Sequence, residues 1–539
     1  MRTLVTPLAL VIAGLGILAG CGGSSGGGMA DNVLRININV EVADLDPQIV
    51  TGVAEHRVNA SLFEGLTDLD PETYAAIPGA ATSWEVSEDK LTYTFHLRED
   101  GKWSNGDPVT AKDFHYSYRR ILSPGLAAEY AYLLHCIQNA RAFNEGKITD
   151  FDEVGVKVID DHTLAITLEH PTPYFLNLQI HQAWFPVHQA TIEAHGAMDK
   201  RGTPWTRAGN HVGNGPFRLT EWRPNEVIQV VKNEHYWDRD AVRLDGIAFY
   251  PITDQLTEER SFRSGKLQMT GEVPLDKIPV YQAENPELIH VDPYFGTYFY
   301  RINTTRKPFD DPRARHAFSM ALDREELARN VLKGGEQPAF HFVPPGAPGY
   351  TSDAALEFNP EKARALLAEA GYPDGAGVPV VEILYNTSES HKRIAEAVQQ
   401  MWKKHLNVDV QLLNQDWKVY QDSQKNLNYD LARAGWIGDV VDPMNFLELW
   451  LTGGGNNHTG YADPAFDTLI RQAYAETDEA KRLTLLKQAE DIVLRDLPVI
   501  PVYFYTRKYL QSPEVNGYVP NVLGYLRFQD FYLEPTAEP

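Results

Sequence analysis

The chain has 539 residues, 43% of them hydrophobic, a formal charge of −24 and only two cysteines. That length supplies more than one buried core, while so acidic a surface repels phosphate backbones and anionic headgroups, which excludes nucleic acid as a natural partner. With Cys21 and Cys136 as the whole thiol inventory, a disulfide framework is also excluded and stability must come from packing.

The chain opens with MRTLVTPLALVIAGLGILAGC, in which Arg2 precedes an apolar run from Leu8 to Leu18. This reads as a secretory signal, too short to span a bilayer as a mature helix. Leu18-Ala19-Gly20-Cys21 resembles a bacterial lipobox, so residues 1–20 are expected to be removed and Cys21 to carry lipid. The Gly/Ser run from Gly22 to Gly28 then makes 21–29 a flexible tether. Beyond it, SWEVSEDKLTYTFHLRED alternates about a polar turn at Ser87 to Lys90, predicting two strands, and Thr110 with Asp113 predicts a capped helix start. DDHTLAITLEHPTPYFLNL predicts a strand and then a helix, and QVVKNEHYWD with GIAFYPI predicts further sheet.

From about Tyr298 helices and strands alternate. Asp311-Pro312, Asp323 with Glu326, and Asn359-Pro360 mark helix starts, the last helix stopped by Gly371. VPVVEILYN, NVDVQLLN and YDLARAGW read as strands around the helix HKRIAEAVQQMWKKHL, an order that predicts a parallel sheet with ligands beyond its strand carboxyl ends. The helix EAKRLTLLKQAEDIVLRD runs into the buried strand VIPVYFY. Tyrosines concentrated in VDPYFGTYFY and PVYFY predict that these two strands converge on a ligand groove.

Catalytic signatures are missing from the sequence. It holds no H-E-x-x-H, no phosphate-binding G-x-x-x-x-G-K-[ST] and no paired C-x-x-C, and the matches to G-x-S-x-G at Ser24 and Ser25 lie in the tether, not between a strand and a helix. No cofactor and no metal is expected. A secreted peptide hydrolase remains an alternative from another class, although no nucleophile, base and orienter come together.

Several segments in order, among them DKLTYTFHLREDGKWSNGDPVTAKDFHYSYRRIL, LDPQIVTGVAEHRVNASLFEGL, GNGPFRLTEW, VDPYFGTYFYRIN and ARAGWIGDVVDPMNFLELW, resemble the family 5 extracellular solute-binding proteins of bacteria. The likeness is strongest to their oligopeptide-binding and murein-peptide-binding members. The resemblance implies a two-lobed α/β periplasmic-binding-protein-like fold with an additional domain. Its first domain would join 30–63, 190–295 and 507–539, its second span 64–189 and its third 296–506, the lobes closing over an extended peptide.

The function so implied is capture, without chemistry, of short peptides of about two to five residues through backbone hydrogen bonds. The chain would act outside the cytoplasm as a lipid-anchored monomer serving the permease of an ABC-type importer. A dedicated murein-peptide binder is the nearest alternative.

The resemblance assigns Asp439 to the peptide ammonium, a residue that otherwise reads as a cap or turn. It assigns Gly435, Trp436, Ile437 and Val53 to the peptide backbone, and Tyr130, Tyr294, Phe299 and Tyr505 to pocket walls. For the peptide carboxylate it offers Arg433 and His391, with Lys425 and Lys333 as further anchors. Read alone, Arg433 balances Asp430 or another acid and His391 caps its helix. Gln424 stands where relatives commonly place an arginine, and Gly296 and Ile437 where close relatives form a disulfide.

Overall fold

The computed structural model describes residues 32–534. The signal, Cys21 and the tether lie outside the described residues. Fourteen strands frame the site, in chain order β1 (Val33–Asn37), β2 (Ala81–Val86), β3 (Thr92–Leu97), β4 (Val156–Asp160), β5 (Thr163–Thr167), β6 (Phe217–Arg223), β7 (Val227–Lys232), β8 (Gly246–Tyr250), β9 (Ile289–Ile302), β10 (Gln337–Pro338), β11 (Val381–Asn386), β12 (Val410–Gln415), β13 (Leu431–Ile437) and β14 (Val499–Leu510). They form one sheet ordered β1-β8-β7-β6, a second ordered β2-β3-β5-β4 and a third ordered β10-β14-β9-β13-β11-β12.

Local chemistry sets most of these elements. In β3 alternate residues Tyr93, Phe95 and Leu97 are buried, the period-two pattern of a sheet with one face on the core. Helix α1 (Val53–Leu62) follows. Helix α2 (Ala111–Leu122) opens with the expected capping box, in which the Asp113 carboxylate accepts from the Thr110 backbone N–H at 2.7 Å. Arg120 of α2 is fully buried and fork-bonded to Asp46 at 2.6 and 3.0 Å, tying the chain after β1 to the second sheet's helix. Helix α3 (Pro312–Met320) starts at Asp311, and α4 (Pro360–Glu369) is followed by Gly371 at φ +99°, a left-handed conformation that glycine adopts without a Cβ penalty.

One expected helix does not form. After β5 the chain makes only short 3₁₀ turns, at Asn177–Ile180 and Gln182–Trp184, because Pro171 and Pro173 remove two donors from the start of the expected helix. The third sheet is mixed, not wholly parallel: β11 runs parallel to β12 and β13, whereas β9 is antiparallel to both β13 and β14. VDPYFGTYFY and PVYFY do converge, as neighbouring strands β9 and β14. The expected domain boundaries at 295/296 and 506/507 fall inside these two long strands, and the pairing is irregular between Pro293 and Thr297, at the same level.

Candidate functional site

Strand β13 pairs with β9 along its whole length, but with β11 only at Leu431 and Ala432. From Arg433 to Ile437 its other edge therefore carries no strand partner among the described residues. A cleft opens against that edge as two connecting cavities of about 200 and 280 Å³, which share Val53, Arg57, Tyr294, Trp417, Arg433, Gly435 and Ile437. Ala434, Trp436 and Gly438 line only the first cavity, as alternation along a strand requires.

Asp439 follows the carboxyl end of β13 and lines the first cavity. Its carboxylate accepts from Asn445 Nδ2 at 3.0 Å, and its backbone N–H donates to Asn445 Oδ1 at 2.8 Å. Its other neighbour is His181 Nε2 at 3.4 Å. Burial pushes the Asp439 carboxyl up to about 7 and the His181 imidazole down to about 3, since both lose the hydration their charged forms need. The imidazole is thus neutral, and the acid faces the cavity without a cation. Tyr130 closes this end, edge-on to His181 at 4.4 Å, while His56 stacks on the other face at 5.9 Å.

Farther along, Tyr294 and Tyr505 meet edge-to-face at 6.2 Å. Gly435 lets Tyr505 approach: a Cβ there would lie 2.3 Å from its hydroxyl oxygen. Arg433 donates through Nη2 to that hydroxyl at 2.7 Å and through Nη1 to Asn386 Oδ1 at 3.2 Å, and its buried Nε has no partner. It does not balance Asp430, which pairs with Arg306 at 3.3 Å. His391 lines the second cavity with its burial holding the imidazole well below its ordinary pKa, and the cap of its helix is Ser388, whose hydroxyl accepts from the His391 backbone N–H. Gly296 and Ile437 are register partners on β9 and β13.

Three expected placements are corrected. Phe299 is fully buried against Phe342 and Trp450, with ring centroids 5.1 and 5.8 Å apart, and belongs to the core. Lys333 ends a helical turn in left-handed geometry at φ 60°, exposed and outside both cavities. Lys425 does line the first cavity, but Glu129 holds its ammonium at 2.7 Å, so it is not a free replacement for the cation missing at Gln424. Gln424 instead accepts from Arg301 Nη1 at 3.0 Å.

Sequence reasoning missed His56, Arg57, His181, Arg301 and Arg507, all of which line the cleft. A signal existed for two of them: His56 and Arg57 follow Val53 by three and four residues, the spacing of one helical face.

Residues 75–458 match the family described as bacterial extracellular solute-binding proteins, family 5 Middle. The oligopeptide-binding protein OppA of Bacillus subtilis is 38% identical over 96% of this chain and 97% of its own length. A structure of the Escherichia coli murein tripeptide binding protein MppA superposes with a TM-score of 0.89 at 37% identity, covering 94% of this chain and 99% of that one. The unliganded open form of MppA, also 37% identical and covering 93% and 97%, gives only 0.63. Equal identity removes divergence as the cause, so the chain's parts are arranged unlike that open form.

Proposed function

Because the chain belongs to family 5 of the bacterial extracellular solute-binding proteins, and so captures a solute without catalysing a reaction, we propose that its solute is a short peptide held as an added strand on β13. The single observation carrying this reading is the unpaired edge of Arg433–Ile437 ending at a buried, cation-free Asp439. An extended peptide laid on that edge recovers main-chain hydrogen bonds whatever its side chains. Its ammonium supplies the charge Asp439 lacks, in an interaction of about 1.5–3 kcal/mol. At the other end Arg433, beside His391, meets the peptide carboxylate. Tyr130, Tyr294, Tyr505 and Val53 wall the groove, leaving hydrated space for side chains.

Calorimetry with a tripeptide and its N-acetylated form tests this. Tight binding of the free form and loss of binding on acetylation is the expected result; equal affinity removes Asp439 from its role.

The chain's own N-terminal residues and the periplasmic relatives support an extracytoplasmic protein anchored through lipid on Cys21, handing peptides as a monomer to the permease of an ABC-type importer. Incorporation of radiolabelled fatty acid that disappears in Cys21→Ala checks the anchor. A second reading, a murein-peptide binder, rests on the likeness to MppA, which oligopeptide-binding neighbours match at TM-scores of 0.87 and 0.88. Competition between a murein tripeptide and ordinary tri-, tetra- and pentapeptides separates the two.

A further inference from the structure

The charges lining the cleft do not balance. Both lysines there are paired, Lys425 with Glu129 and Lys508 with Glu336. Four guanidinium groups, those of Arg57, Arg301, Arg433 and Arg507, also line it, and none has a carboxylate partner among the described residues. A protein with 73 acidic and 49 basic side chains has no shortage of partners to offer. Buried unpaired cations are costly unless something else completes them.

Arg57 and Arg507 are the least satisfied. They are 8% and 4% exposed, and each has a buried Nε with no partner among the described residues. Arg57 makes no side-chain hydrogen bond to any described residue. Among the described residues Arg507 donates only to the Tyr518 hydroxyl, and its guanidinium is steadied over the rings of Tyr509 and Tyr518 at 4.6 and 5.0 Å. The two lie close enough for Arg507 to disfavour the charge on Arg57, after burial, while Tyr294, Tyr518 and Glu272 favour it.

The acids of the same cavity are engaged elsewhere. Glu272 accepts from Gln255, and Glu258 accepts from the Gly271 backbone N–H at 2.6 Å. Asp439 lines only the other cavity.

We infer that Arg57 and Arg507 form a second anion-recognition site, which takes an acidic side chain of the bound ligand in addition to its terminal carboxylate, so that this protein selects acidic peptides. The inference rests on the peptide-binding reading above. Two guanidinium forks facing one carboxylate give charge-assisted, bidentate contacts, which reward Asp or Glu and penalise Lys at the matching ligand position. Free phosphate shares that chemistry and serves as the competing source.

The test uses full-length protein stripped of co-purified ligand. Calorimetry is run with Ala-Ala-Ala, with tripeptides carrying Glu or Lys at each position in turn, and with inorganic phosphate alone. At one position Glu is expected to tighten binding about tenfold or more over Ala, with Lys weaker than Ala. In Arg57→Gln and in Arg507→Gln the ratio of Glu to Ala affinities at that position is expected to collapse to about one, whereas Arg57→Lys keeps part of it.

Ligand-free melting temperatures of the Gln variants at or above wild type exclude misfolding, since each removes an uncompensated buried charge. Equal affinity for Glu and Ala tripeptides at every position overturns the acidic-peptide site alone. So does phosphate binding that is lost in Arg57→Gln while Glu and Ala tripeptides bind equally. No binding of any tripeptide overturns the peptide reading itself.

Discussion

Since burial lifts the Asp439 carboxyl to about 7, the empty site holds a largely neutral acid below that pH and must shed a proton to receive an ammonium. Affinity for a free-amino tripeptide should therefore fall as the pH drops through 7, by about tenfold between pH 6 and pH 5. Titrations in buffers of different ionisation heat should register the released proton. Above pH 8 the peptide's own amino group deprotonates and affinity falls again.

Asp439→Asn should lower affinity about ten- to 150-fold yet leave the fold intact. A raised carboxyl contributes its stability below the unfolded pKa and loses it as pH rises through the folded one. Asparagine avoids that loss, so the ligand-free variant should exceed wild type by about 1–3 kcal/mol at pH 8, and by less at pH 5, in urea unfolding. Residue by residue, the sequence revealed Asp439 and the tyrosine walls only through resemblance. It did not reveal His181, which meets Asp439 from 258 residues away in the chain, nor the unpaired state of Arg57, which depends on every acid that is not nearby.

At the level of elements, the strands and helices beyond Tyr298 were legible because capping residues, glycine stops and hydrophobic period agreed there. Pairing order was less so: nothing local tells β13 to lie between β9 and β11, or says that its pairing with β11 ends at Ala432. The open edge that results gives a steric prediction. Gly435→Ala drives a methyl group into Tyr505, and the ring can escape only by giving up its bond to Arg433. The substitution should cost about 1–3 kcal/mol of stability and weaken peptide binding. Introduced into Tyr505→Ala, the same change should cost less than about 0.5 kcal/mol, a coupling read by a double-mutant cycle.

For the molecule as a whole, the contrast between TM-scores of 0.89 and 0.63 with two forms of MppA predicts that this chain also has an open form when empty. Small-angle scattering should show the radius of gyration of ligand-free protein falling when a binding tripeptide is added. An unchanged radius at saturating peptide would count against closure. The strands β9 and β14 cross the expected boundary as a pair, and the irregular pairing between Pro293 and Thr297 is where a bend costs the fewest hydrogen bonds.

The exposed backbone of β13 has a further consequence. On an outer surface, a strand with free donors and acceptors invites other chains to stack on it and grow. Here α1 and the tyrosines stand in front of it, leaving room for one slim segment and none for a sheet. The same recess that protects the protein from clumping thus acts as a sieve, passing short single chains and turning away folded ones.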